Sequence, residues 1–345
     1  MTENQSQKTA KPKLIVTPSP HVKDSISTQK VMLTVAVALL PSLIASVYYF
    51  GLRSLVLTAM CVISCMLFEQ LFTMITHRES TIGDCSAVVT GMILAFNVPV
   101  TLPLWMAAFG SFIAIIVVKC LFGGIGCNFA NPAATARIFL LVSFATPMTT
   151  WVAPLRGSVP PAGDVIGSFA GVDYIASATP LSSMAEMGIA GATPASGGLP
   201  SLLQMFLGAR GGSLGETCAL ALIIGGIFLI WKGIISPLIP VSVIASVFVF
   251  ALVFGADPFY AVLSGGVMIG AFFMATDYST SPLTNKGKLV FGIGIGFITM
   301  VIRSFCSYPE GMSFAILLMN ILTPHIDRLT VPKPFGAVFE QKKDK

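Results

Sequence analysis

Two stretches, "SAVVTGMILAFNVPVTLP" (residues 86–103) and "FYAVLSGGVMIGAFFMATDYSTSP" (residues 259–282), are long and apolar yet interrupted. The first stops at Asn97 and Pro99. The second carries Gly265 and Gly266 inside it and a polar end at Thr276, Asp277, Tyr278, Ser279, Thr280 and Ser281. In lipid every backbone N–H and C=O needs a partner, so a broken helix survives only where protein or a cavity satisfies the freed groups. Close helix packing through small residues would also accommodate such breaks. Position favours the first reading, because each broken run is the third of five in its half of the chain.

A helix needs about 20 apolar residues to cross the hydrocarbon core. Runs of that length lie at 31–50, 54–76, 104–122, 133–151, 215–232, 235–255, 287–306 and 310–326. With the two broken runs they make ten crossings, five on each side of a polar stretch at 152–214. Five is odd, so the halves have opposite topology: an inverted repeat whose broken helices meet near the midplane. The expected protein is an all-α polytopic membrane protein. It has a cytoplasmic arm (1–30), a first five-helix repeat (31–151), an extracytoplasmic loop (152–214), a second repeat (215–326) and a basic cytoplasmic tail (327–345).

Composition agrees. The chain is 54% hydrophobic and 10% charged, with mean hydropathy +0.85, against about 25% charged in soluble domains. No cleaved-signal pattern opens it. The net charge of +5 sits mostly in the tails, which suits orientation by anionic lipid and not nucleic-acid binding. None of the seven cysteines forms a CxxC pair, so they read as small buried hydrophobes and not as ligands of zinc or an iron–sulfur cluster. Alternating sides from a cytoplasmic start puts fifteen Lys and Arg inside and four (Arg53, Arg156, Arg210 and Arg303) outside, with Arg137 near a helix start. That asymmetry predicts two cytoplasmic termini and an outward 152–214 loop.

Three places have the residue types for chemistry. The outer loop holds no His or Cys, and its acids are Asp164, Asp173 and Glu186, so a hydrolase there would lack a base for its nucleophile. Its Gly/Ala/Ser/Pro composition reads as a flexible connector, or as an open setting in which Thr179 is accessible to a modifying enzyme. On the cytoplasmic side, "LFGGIGCNFANPAATARIFLL" (121–141) combines glycines, which permit close backbone approach, with Asn128, Asn131 and Arg137. It suits either helix packing or a planar polar ligand, and without a preceding strand it is no dinucleotide fold. Of the charges in apolar runs, Glu69 and Asp277 are functional candidates, although Asp277 also suits a helix-end cap, and Arg303 with Glu310 suits a structural pair.

Together these motifs carry a resemblance: "SPH" (19–21), "GDCSAVVTGMILAFNVP" (83–99), "FGGIGCNFANPA" (122–133), "DYIASATPL" (173–181), "ATDYSTSPLTNKGKLVFGIG" (275–294) and "YPEGMSFAILLMNILTPHIDR" (308–328). The chain resembles, nearly end to end, the RnfD family of the Rnf electron-transport complex, which includes more distantly the NqrB component of the sodium-pumping NADH:quinone reductase. The resemblance implies a membrane flavoprotein, inactive alone, that is one component of a bacterial cytoplasmic-membrane complex. That complex passes electrons from reduced ferredoxin towards NAD⁺ and moves Na⁺ or H⁺. The resemblance implies FMN joined through its phosphate to Thr179 by a separate flavin transferase, and partners among the other Rnf subunits (A, B, C, E and G). The family's usual Ser-Gly-Ala-Thr is "ASAT" here; a decoy, "AGAT", ends at Thr193. The resemblance also implies an architecture like that of urea and ammonium channels. A non-covalent riboflavin is implied as well, with Asn128, Asn131, Arg137 and Asp277 as candidate neighbours of that flavin or of an ion. An inverted-repeat channel or secondary transporter without a redox role is the alternative reading, and a structural membrane anchor a third. A channel would not need an outer loop of this length.

Overall fold

The two broken runs are broken in the computed structural model, which describes residues 26–78, 80–155, 165–169, 172–175, 177, 179–181, 184, 200–306 and 310–332. Most of the 1–30 arm, Arg156, Asp164, Glu186, Thr193 and the tail from residue 333 lie outside the described residues. Helix α1 (Thr28–Phe50) is capped by Ser27 and ends at Gly51, and α2 (Leu52–Ile75) follows directly. α3 (Ser86–Phe96) stops at Asn97, as expected of the first broken run. α4 (Leu104–Phe112) continues as a π-helical stretch, Ile113–Cys120. α5 (Pro132–Ser143) begins with Asn131 as its cap and Pro132 in its first turn, where the missing N–H costs nothing.

The expected single span at 133–151 is two pieces, α5 and a short α6 (Ala145–Thr149). Pro147 explains the split: in a continuous helix its ring would press on the carbonyl of Ser143. Strands β1 (Val165–Phe169) and β2 (Val172–Ile175) pair antiparallel, with Ser168 opposite Asp173, and α7 (Leu202–Leu207) closes the outer region. The second half runs α8 (Ala219–Trp231), α9 (Leu238–Val253), α10 (Pro258–Leu263), α11 (Val267–Ile269, continuing as a π-helical turn Gly270–Met274), α12 (Asn285–Phe305) and α13 (Met312–Thr330). The second break is at Ser264–Gly266, where Gly265 and Gly266 take φ of 66° and 70°, values that only glycine adopts without strain.

Among the described residues, α1, α2 and α12 are long and apolar enough to cross a membrane, and five further apolar helices are shorter. Large apolar side chains such as Ile44, Leu67, Trp231 and Val253 are exposed on the outside of the bundle, the surface a bilayer would cover. The protein is a predominantly helical membrane protein. α2 packs on α3 and α4, and α9 on α10 and α12; α4 packs on α5, and α12 on α13. Across the halves, α1 lies on α8 and α5 on α13. At the first of these contacts a Cβ on Gly225 would meet the Ala38 carbonyl oxygen at 2.2 Å, so the backbones themselves touch.

Arginines satisfy the breaks. Arg53 donates from Nε to the Val100 carbonyl (2.8 Å) and from Nη2 to that of Thr101 (3.1 Å). Arg303 donates to the carbonyls of Ala261 (2.6 Å) and Ser264 (2.8 Å); Arg210 donates to those of Leu263 (2.6 Å) and Glu216 (2.9 Å). Three cations that side-counting places on the outer side of the membrane are thus caps for carbonyls that lost their helical partners.

Candidate functional site: a cavity under the broken helices and a folded outer segment

α1, α3, the 121–131 loop, α5 and the end of α11 enclose a cavity of about 490 Å³, within the range of small-molecule and cofactor sites. Its apolar walls include Val31, Met32, Ile93, Phe272 and Phe273, and its polar rim Asn128, Asn131, Asp277, Lys119 and Ser86. Three of the four residues expected beside a second flavin therefore share one cavity, although Asp277 lies more than a hundred positions from Asn128 and Asn131. Asn131 Oδ1 accepts from the Ala134 N–H as the helix cap (3.1 Å), while its Nδ2 donates to the Met274 carbonyl (3.1 Å) and ties the loop to α11. Asn128 Oδ1 is buried without a hydrogen-bond partner among the described residues. Asp277 holds its own turn: its carboxylate accepts from Ser279 Oγ (3.1 Å) and Thr280 Oγ1 (3.3 Å).

Arg137 is not in the cavity wall. It is buried between the halves, where Nε donates to the Asn97 carbonyl (2.9 Å), Nη1 to Ser313 Oγ (2.7 Å) and Nη2 to Glu310. The expected Arg303–Glu310 pair is therefore wrong: Glu310 neutralises Arg137, and Arg303 serves the second break. Glu69, read as a lone intramembrane acid, is 1% exposed and paired with Lys119 at 2.7 Å. Lys119 also donates to Ser86 Oγ (2.7 Å), and Thr81 donates to Glu69 Oε1 (2.5 Å). Lys119 is thus no free interfacial cation, because it lies at 2% exposure, where only a paired ammonium is tolerated. Glu216, which the sequence reading does not single out, is buried. Its carboxylate accepts from the Gly265 N–H and from Ser213 Oγ (3.2 Å).

The outer segment is not a flexible connector where it is described. Tyr174 on β2 is buried and donates its hydroxyl to the Phe50 carbonyl at the top of α1 (2.9 Å). Backbone bonds from Ala153 N to the Ile175 carbonyl and from Ser177 N to the Trp151 carbonyl, both 3.0 Å, extend the attachment. Arg53 lies over the Phe169 ring at 5.5 Å. Beyond β2 the chain turns inward, and Thr179 is 3% exposed. The expectation of an open, accessible residue is not met, since Thr179 is buried, and composition alone does not register depth.

A family model described as NQR2, RnfD, RnfE matches residues 15–336, the span that contains both breaks, the cavity and the outer segment. The chain belongs to this family. It is 45% identical to the D subunit of the Na⁺-translocating ferredoxin:NAD⁺ oxidoreductase complex of Acetobacterium woodii, over 96% of this chain and 98% of that protein. It is 39% identical to the D subunit of the proton-translocating ferredoxin:NAD⁺ oxidoreductase complex of Clostridium ljungdahlii, over 93% and 96%. The D subunit of the ion-translocating oxidoreductase complex of Actinobacillus succinogenes is 38% identical over 93% and 97%.

Proposed function

We propose that this chain is the membrane-embedded D subunit of an Rnf-type complex, passing electrons from reduced ferredoxin towards NAD⁺ while Na⁺ or H⁺ crosses the bacterial cytoplasmic membrane. The observation that carries this reading is similarity over more than nine-tenths of the chain to proteins so named. Those relatives are named for both ions, so the reading commits to neither. The chain works within a complex with the other Rnf subunits and has no turnover alone. Its ten spans form an inverted repeat, supported by the matched packing of α2 with α4 and of α9 with α12, and by the facing of α1 with α8 and of α5 with α13. Both termini are cytoplasmic and the segment around Thr179 faces out.

Two flavins belong to the proposal. FMN is joined through its phosphate to Thr179 by a flavin transferase, and riboflavin occupies the cavity without a covalent bond. A flavin supplies one- or two-electron transfer at a potential set by its surroundings. The cavity suits such a ring: Phe272, Phe273 and Met32 offer apolar faces, while the unpartnered Asn128 Oδ1 is an acceptor for a ring N–H. Asn131 and Asp277 hold the loop and the turn that shape the rim.

The test is in-gel fluorescence of the denatured polypeptide after co-expression with the transferase. Thr179→Ala should abolish the fluorescent band and the peptide mass increment of FMN while membrane insertion persists, and Thr193→Ala should change neither. A band that survives Thr179→Ala removes the attachment site from the proposal.

A further inference from the structure

Among the described residues, the second helix break carries more donors than find a partner. Arg210 and Arg303 converge on it at 4% and 6% exposure, and Ser264 within it is fully buried. After the carbonyl caps are made, Arg210 Nε and Nη1, Arg303 Nε and Ser264 Oγ remain buried with no hydrogen-bond partner among the described residues. Buried donors of this kind are rare in native proteins, and each costs the desolvation of an unmade bond. Four on three side chains at one break constitute a cluster.

The charges point the same way. Glu216 is the carboxylate at the break; it accepts from the Gly265 N–H and stands 4.0 Å from Arg210 Nη2. Arg137 is already neutralised by Glu310. Among the described residues, two guanidinium groups against one carboxylate leave one positive charge in excess, in a region where an uncompensated charge is expensive. A monoanion balances it. The group that abuts the break is the segment bearing Thr179: a Cβ on Gly265 would meet Arg303 Nη2 at 2.3 Å and Leu181 Cδ2 at 2.6 Å, so Leu181 and Arg303 flank the same glycine. Thr179 is two residues away, within about 7 Å of backbone, and is itself buried.

We propose that the break between α10 and α11 is a built anion site in which Arg210, Arg303 and the Ser264 hydroxyl hold a singly charged phosphodiester. Its occupant is the phosphate through which the flavin nucleotide is joined to Thr179. The identity of that occupant rests on the attachment proposed above; the existence of the site does not. Guanidinium and hydroxyl donors match phosphate oxygens in geometry and charge. The site accounts for the placing of an acceptor threonine beside a glycine break: only with no Cβ at Gly265 do the arginine and the outer segment reach the same point.

The probe is radiolabelled inorganic phosphate in equilibrium dialysis against the detergent-solubilised complex, with chloride matching ionic strength. The complex carrying Thr179→Ala should bind one phosphate more than the flavin-loaded wild type, with a dissociation constant below about 1 mM. Adding Arg210→Gln should abolish that equivalent. Adding Ser264→Ala, which removes an unpartnered hydroxyl and no cap, should weaken it roughly tenfold; it decides the matter should the arginine variant fail to assemble. Absence of the extra equivalent from Thr179→Ala, or its retention at full affinity in Ser264→Ala, overturns the proposal. In-gel fluorescence on the same samples separates the two readings. A wild type that is dark in the gel and binds the same extra phosphate as Thr179→Ala keeps the anion site and sinks the attachment.

Discussion

Lys119→Met should be among the most damaging single substitutions in the helix bundle. The Lys119–Glu69 pair is closed at 2.7 Å with both side chains almost fully buried. At an effective dielectric of about 20, unit charges at that distance attract by roughly 6 kcal/mol. The cost of taking two ions out of water is of similar size, so the intact pair contributes little net stability. Removing one member is different, because it leaves the other buried and unbalanced, at about 3–5 kcal/mol. Glu69 would keep only the Thr81 hydroxyl, and its Oε2 already has no partner among the described residues. Lys119→Met and Glu69→Gln should therefore each cost about 3–5 kcal/mol, while the double variant, with no buried charge, should cost about 2 kcal/mol or less. Detergent-titrated unfolding of a fluorescent-protein fusion, read by size-exclusion chromatography, measures all three. A double variant whose loss equals the sum of the two singles would refute the reasoning, because independent residues add.

Asn128→Leu should remove the partnerless acceptor from the cavity and lower acid-extractable riboflavin by tenfold or more (about 1.4 kcal/mol per decade), leaving the covalent in-gel band unchanged. Gly225→Ala places a methyl 2.2 Å from the Ala38 carbonyl oxygen and should cost about 1–3 kcal/mol by overpacking in the same unfolding assay; Gly83→Ala, with nothing within 4 Å, should be neutral. A cysteine introduced at position 160 should react with an impermeant reagent in intact cells and one at position 124 should not; protection of position 160 in folded protein refutes the proposed orientation.

Both breaks could be read from the sequence because Asn97 with Pro99, and the adjacent Gly265–Gly266 pair, combine local disruptors; proline alone is no such signal, since Pro41 and Pro324 lie inside α1 and α13. The effect of Pro147 on 133–151 was present in the sequence but hidden by the length of the apolar run. Pairings were not legible. Glu69 and Lys119 are 50 positions apart, and Lys119 looks like any loop-edge cation until α2 and α4 are placed side by side. Counting sides put Arg53, Arg210 and Arg303 on the outer side of the membrane, but a count of loop charges carries no information about depth. Glu216 carried the same signal as Glu69, a carboxylate within an apolar run, and could have been found by it. Asn128, Asn131 and Asp277 line one cavity, since polar groups at helix breaks have few other places to go; Arg137 is drawn away by Glu310 and Asn97. The exposure of Thr179 was misread because small side chains mark both open loops and closely packed ones.

If FMN is joined to Thr179 as proposed, the burial of that residue sets a timetable for biogenesis. For a hydroxyl to be esterified in another enzyme's active site, the reacting atoms must come within about 3–3.5 Å, and at 3% exposure no outside catalyst can approach that closely. On the proposed attachment at Thr179, a transferase would have to meet the outer segment before Tyr174 and Leu181 settle onto the helices. Chains that dock first are lost as acceptors unless they reopen. Flavin occupancy in a purified sample would then record a race between a folding step and an encounter, rising with transferase abundance during synthesis and indifferent to transferase added afterwards.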